Sequence, residues 1–155
     1  MNIRLLSVEL DPNRLPCVVA EKEYYCQEKK MNDSAKIVNM INSFFRLDNK
    51  PEEFVYMVCL DSASHVLGVF EISHGGVDRS FCGPREIFQK ALLSGAVGIV
   101  IIHNHVSGCT NPSDMDVLMC DRLKQSGEMI GIKLLDFLII GKEGEYYSFA
   151  EKDLL

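Results

Sequence analysis

Residues 96–102 read Ala-Val-Gly-Ile-Val-Ile-Ile and run directly into His103-Asn104-His105. An apolar run this short, rich in Val and Ile and without polar alternation, predicts a strand buried on both faces rather than a helix. Such a strand needs neighbours on either side and helices above and below. Polar groups at its end fall where open α/β sheets place their sites.

The rest of the chain supplies the covering elements. A helix is expected from a cap at Asn32 or Ser34, with Ile37, Val38, Ile41, Phe44 and Phe45 on one face and Asn49-Lys50-Pro51 as its stop. Pro84 suits the first turn of a second helix that carries Ile87, Phe88, Ala91 and Leu92 and ends near Gly95. A third opens at Ser113-Asp114 and runs to about Gln125. Extended segments are expected at 3–10 and 17–21 around the turn-forming Asp11-Pro12-Asn13, and at 53–60 and 65–72 around Asp61-Ser62-Ala63-Ser64. After Gly75-Gly76 the chain enters a loop, and two last strands at 133–140 and 146–149 turn at 141–144. The fold class is therefore α/β: a mixed β-sheet flanked by helices, in one domain spanning 1–155.

Composition limits the function classes. The chain has 155 residues, 47% apolar and 25% charged, with 16 Lys and Arg against 22 Asp and Glu for a net charge of −6. That balance argues against a large phosphate-neutralising surface, so nucleic-acid binding by this chain alone is expected to be weak or absent. The opening residues lack a basic stretch followed by an apolar run, and no segment approaches the ~18 apolar residues of a membrane span, so a cytoplasmic, non-membrane protein is expected. Cys17, Cys26, Cys59, Cys82, Cys109 and Cys120 show no C-x-x-C spacing and read mostly as reduced thiols. Nothing in the composition specifies an oligomeric state.

The chemistry concentrates in residues 103–116. Two imidazoles at i and i+2 on extended backbone point to the same side, so His103 and His105 can reach one cation. Asp116 completes a His₂Asp set if the loop folds the helix start back over the strand end, and Ser113 lies one turn before it on the same helical face. Zinc accepts these donors and, with three protein ligands, keeps a position for water. A proton acceptor is still required. Glu71 stands out as a carboxylate in the apolar run 66–72 and is assigned that role, with Ser113 as hydrogen-bond donor to an oxyanion. Taken singly, Ser113 is also a plain helix N-cap. Cys109 sits in the site loop, while His65 and His74 read as surface residues. The contiguous His-Asn-His does not make a ββα nuclease, and the H-x-E and P-C-x-x-C of zinc nucleobase deaminases are missing.

The spacing H-x-H-x₇-S-x₂-D resembles the JAMM signature of the JAB/MPN metalloprotease-like fold. Pro84-Arg85-Glu86, His103-Asn104-His105-x-Ser107-Gly108, Pro112-Ser113 and Leu135-Asp136 resemble its RadC branch. The resemblance is strong from about Val66 to Phe149 and loose over the first fifty residues. It implies a deaminase-like mixed sheet, zinc on His103, His105 and Asp116, Glu71 as the catalytic glutamate, and Ser113 as the oxyanion-supporting serine. The implied activity is zinc-dependent hydrolysis of an amide or isopeptide bond in a protein or peptide, within a family associated with DNA repair. The alternative is a non-catalytic scaffold in a repair or mobile-element assembly. The sequence departs from the RadC pattern at Val106, where Pro is usual, and at Phe137, where His is usual. The N-terminal segment of longer relatives that resembles helix-hairpin-helix modules is expected to be missing.

Overall fold

The computed structural model describes residues 1–28, 30–75 and 83–155; Gly76 and Cys82, read above as loop and reduced thiol, lie outside them. Strands β1 (Asn2–Leu10), β2 (Pro16–Tyr25), β3 (Phe54–Leu60), β4 (Val66–His74), β5 (Gly98–Asn104), β6 (Lys133–Ile140) and β7 (Tyr146–Ser148) form one sheet in the order β2-β1-β4-β3-β5-β6-β7. It is mixed: β1 runs parallel to β4 and β5 parallel to β6, while the other pairings are antiparallel. Every residue of β5 is buried, as its composition requires.

Helices α1 (Ser34–Phe45), α2 (Pro84–Leu93) and α3 (Asp114–Ile130) cover the two faces. Ile37, Val38 and Ile41 of α1 share a core with Tyr56, Val58, Val100, Ile102 and Leu138. On the opposite face Ile87, Phe88 and Ala91 of α2 and Met119 and Leu123 of α3 pack on Met57, Ile99, Ile101 and Phe137. Each large aliphatic side chain so buried contributes roughly 1.5–3 kcal/mol. The JAB/MPN-like α/β architecture implied by the sequence is the one the chain adopts.

Several boundaries differ from expectation, each for a local reason. The cap of α1 is Asp33, not Asn32 or Ser34: its carboxylate accepts the Lys36 N–H at 3.2 Å, while the Ser34 hydroxyl is drawn away to Asp136. That helix ends at Phe45, where Arg46 turns left-handed (φ 50°), well before Pro51. Leu92 is 59% exposed and does not belong to the buried face of α2. Helix α3 continues to Ile130 because Gly127, a weak helix former, lies tightly under Phe88 and Ile132, and it stops at Gly131 in the left-handed region (φ 82°). Strand β2 runs on to Tyr25, since an edge strand tolerates the charged Glu21-Lys22-Glu23.

One buried carboxylate ties the far end of this framework together. Asp136 on β6 is 4% exposed; Oδ1 accepts the N–H groups of Phe137 (2.8 Å) and Ala150 (3.0 Å), and Oδ2 accepts the hydroxyls of Ser148 (2.6 Å) and Ser34 (3.0 Å). Strand β7, the turn after it and the start of α1 thus share one anchor. Phe137, the departure noted above, is fully buried and meets the Phe149 ring edge-on at 5.3 Å, which makes it a core residue. Replacing Asp136 by Ala removes the acceptor of the buried Phe137 N–H, the part-buried Ala150 N–H and the Ser34 and Ser148 hydroxyls; urea denaturation is expected to show a loss of about 3 kcal/mol.

Candidate metal centre

The site lies where β5 ends. His103 pairs with Val55 of β3 and so shares the face of Ile99 and Ile101, the face covered by α3. His105 follows on the same side, and the two rings lie 4.9 Å apart between centroids. Asp116, in the first turn of α3 and 1% exposed, brings Oδ1 to 3.7 Å from His103 Nε2 and Oδ2 to 3.3 Å from His105 Nε2. One ligand atom from each of the three residues lies within 4.8 Å of the others. This is the group the spacing pointed to.

Local sequence explains the convergence. Ser113 and Asp116 form a capping box: the Asp116 N–H bonds the Ser113 Oγ at 3.2 Å, and Asp116 Oδ2 accepts the Ser113 N–H at 2.8 Å and hydroxyl at 2.6 Å. Oδ2 is therefore taken up by the helix cap and by His105 Nε2. Oδ1 is buried with no hydrogen-bond partner, an arrangement that costs on the order of 1–3 kcal/mol unless a cation or proton compensates it.

The two histidines are anchored alike at Nδ1 and differ at Nε2. His103 Nδ1 lies 3.3 Å from the Phe54 carbonyl and His105 Nδ1 lies 2.8 Å from the Cys109 carbonyl. A carbonyl only accepts, so each Nδ1 carries a proton; when protonated, His105 Nε2 donates to Asp116 Oδ2 at 3.3 Å, and either Nε2 offers its lone pair to a cation once it gives up that proton. Backbone carbonyls on Nδ1 are the usual partners of metal-binding histidines. Burial lowers the His103 pKa against the pull of Asp116, which favours neutral imidazole. The hydrogen bond to Asp116 raises that of His105. Burial works to raise the Asp116 pKa, yet the hydrogen bonds from His105 and Ser113 outweigh it and hold the carboxyl down to about 2. Two imidazole nitrogens and one ionised carboxylate oxygen facing a common point suit a divalent cation, zinc among them.

Glu71 is not part of this group. It pairs with Tyr56, receives the Tyr56 hydroxyl on Oε2 at 2.9 Å, and holds His74 Nδ1 on Oε1 at 2.7 Å. Tyr56 stacks on Phe45 of α1 and pairs with Ile102, so Glu71 stands on the α1 face, opposite to the face of His103. Burial and the Glu71 charge both raise the Tyr56 pKa.

Glu53, just before β3, is a second carboxylate close enough for its charge to act on both imidazoles. The β3–β5 register pairs Val55 with His103, and continuing it by two residues sets Glu53 opposite His105, on the ligand face. Its backbone is clamped from either side by Asn104, which accepts the Phe54 N–H on Oδ1 at 2.7 Å and donates from Nδ2 to the Glu52 carbonyl at 3.1 Å. Asn104 sits between the two histidines and is 2% exposed. The available signal was the antiparallel pairing itself, which brings the start of one strand beside the end of its neighbour.

The remaining polar residues fall as expected. Cys109 is exposed and contributes its carbonyl rather than its thiol; His65 pairs with Asp61 in a surface turn; His74 is exposed. The described cysteines Cys17, Cys26, Cys59, Cys109 and Cys120 are free thiols. Among the described residues no helix is long and apolar enough to cross a membrane.

Comparison with known proteins agrees with this fold. A family model described as RadC-like JAB domain matches residues 31–154. A UPF0758 protein of Thermotoga maritima is 36% identical over 124 residues, 80% of this chain and 54% of that protein. One from Porphyromonas gingivalis is 32% identical over 129 residues, covering 83% and 56%. A third, from Clostridium perfringens, is 43% identical over 104 residues, covering 67% and 45%. The chain spans about half the length of these relatives. With the match covering α1 through β7 and including all three ligand candidates, the chain belongs to the RadC-like JAB domain family.

Proposed function

We propose that this protein is a zinc-dependent hydrolase of the JAMM type that cleaves an amide or isopeptide bond in a protein or peptide. The observation that carries this reading is the buried Oδ1 of Asp116, without a hydrogen-bond partner and 3.7 Å from His103 Nε2, beside two histidines whose Nδ1 atoms are held by backbone carbonyls. His103, His105 and Asp116 would hold the ion, and zinc in such a site supplies Lewis acidity and lowers the pKa of water toward ~7.

The chain's own residues divide the rest of the work. Glu53, rather than Glu71, accepts the proton of the attacking water and passes it to the leaving nitrogen, because it is the carboxylate on the ligand face. Asn104 holds Glu53 against that face. Ser113 keeps Asp116 in place through its N–H, which leaves the hydroxyl able to turn from Oδ2 to a substrate oxyanion. A net charge of −6 and free thiols suit a cytoplasmic protein with weak affinity for duplex DNA. The link to DNA repair then runs through a protein substrate rather than through DNA contact.

Elemental analysis is expected to find about one zinc per chain, with His103→Ala, His105→Ala and Asp116→Ala each sharply reducing it. Equal zinc retention by wild type and these variants would remove the site. Ser113→Ala is expected to cost roughly 1 kcal/mol through the lost cap and to weaken zinc retention by loosening Asp116.

A panel of peptide and isopeptide substrates tests the chemistry. Glu53→Gln should keep zinc and lose ~10²–10⁴-fold in turnover, whereas Glu71→Gln should stay within about twofold of wild type. The reverse result makes Glu71 the proton acceptor. Partner binding indifferent to both substitutions and to chelation, without turnover of any substrate, identifies the scaffold instead.

A further inference from the structure

The loop that carries His105 rests on the turn between β6 and β7, and the contact is made by two glycine backbones. The His105 N–H bonds the Ile140 carbonyl at 3.2 Å, the Gly108 N–H bonds the His105 carbonyl at 3.0 Å, and the Lys142 N–H reaches the Gly108 carbonyl at 3.4 Å. Between them lies Gly141. A methyl group there would stand 2.6 Å from the Gly108 carbonyl oxygen and 2.6 Å from Thr110 Cγ2. The backbone of Gly141 (φ −99°, ψ −157°) is extended and open to alanine, so the obstacle is the metal loop itself. Its own N–H is spent within the turn, on the Glu145 carbonyl at 2.9 Å, so the turn has its own anchor.

We infer that Gly141 is a positioning residue for the metal centre: its missing side chain sets the height of residues 108–110, and through the Cys109 carbonyl at 2.8 Å the orientation of the His105 ring. Contacts of 2.6 Å to a backbone oxygen cannot be relieved by rotating a side chain. Adding one carbon must lift the loop by roughly 0.5–1 Å to restore ordinary separation. A shift of that size on the partner of His105 Nδ1 is enough to spoil ligand geometry. Residues remote in sequence from every ligand thereby govern metal affinity. The inference rests on the metal-site reading above.

Zinc affinity of the full chain, measured by competition with a chromogenic chelator, tests it together with the visible spectrum of the cobalt(II)-loaded protein and the melting temperature of the metal-free protein. Gly141→Ala is expected to weaken zinc binding about tenfold or more, to change the cobalt spectrum, and to leave the metal-free melting temperature within a few degrees of wild type. Thr110→Ile crowds the same contact from the loop side, independently of the turn, and should lower affinity in the same direction. Wild-type affinity and spectrum in both variants overturn the inference, as does a lowered melting temperature with unchanged affinity, which would make the glycine a stability residue only. A wild-type chain that binds no zinc overturns the metal site and this inference together.

Discussion

Burial of β5 on both faces is the constraint from which the rest follows. Its seven residues carry no polar side chain until His103 and Asn104, and they must be covered by helices above and below and paired with strands on both edges. Once that happens, the polar tail of the strand is itself buried and has to find partners. Asn104 finds them in the backbone of residues 52 and 54, and His103 in the carbonyl of Phe54. The hydrogen bonds that make burial of the strand end tolerable are thus the ones that orient a ligand and hold a carboxylate opposite the site.

Asp116 shows a second economy. A capping-box residue at the third position of a helix is ordinarily part of the helix start, and here one of its oxygens serves that purpose fully. The other oxygen is left buried without a hydrogen-bond partner, 3.7 Å from His103 Nε2. Folding of α3 therefore presents that oxygen beside the imidazoles, and a bound cation would compensate the buried charge. The same coupling explains why the low pKa of Asp116 coexists with near-complete burial: the hydrogen bonds of the cap and of His105 outweigh desolvation.

The fold and the ligand set were legible because both rest on local pattern. A two-sided apolar run reads as an internal strand, the 3.6-residue periodicity of α1 and α2 reads as helix, and the i, i+2 histidines with the Ser-x-x-Asp helix start fix which side chains share a side. Misjudged ends have equally local causes. Charges in β2 lie on a solvated edge where alternation carries no weight, and Gly127 sits inside α3 because of a tight packing contact with Phe88 and Ile132 that no propensity encodes.

The choice between carboxylates was of another kind. Glu71 is conspicuous as a charge in an apolar run, yet pairing with Tyr56 turns it to the α1 face; Glu53 looks like an ordinary polar residue at a strand start, yet the β3–β5 register sets it across from His105. In a sheet the face of a residue depends on its neighbour strand as well as on its own parity, and the bulge between Val55 and Tyr56 shifts that relation by one residue. Likewise nothing near Gly141 announces that a loop thirty residues upstream rests on it. The sequence by itself determined which residue types could bind a metal and which strand would carry them. Register and close backbone approach, which arise only when distant segments pair, decided which carboxylate faces that centre and what holds it in place.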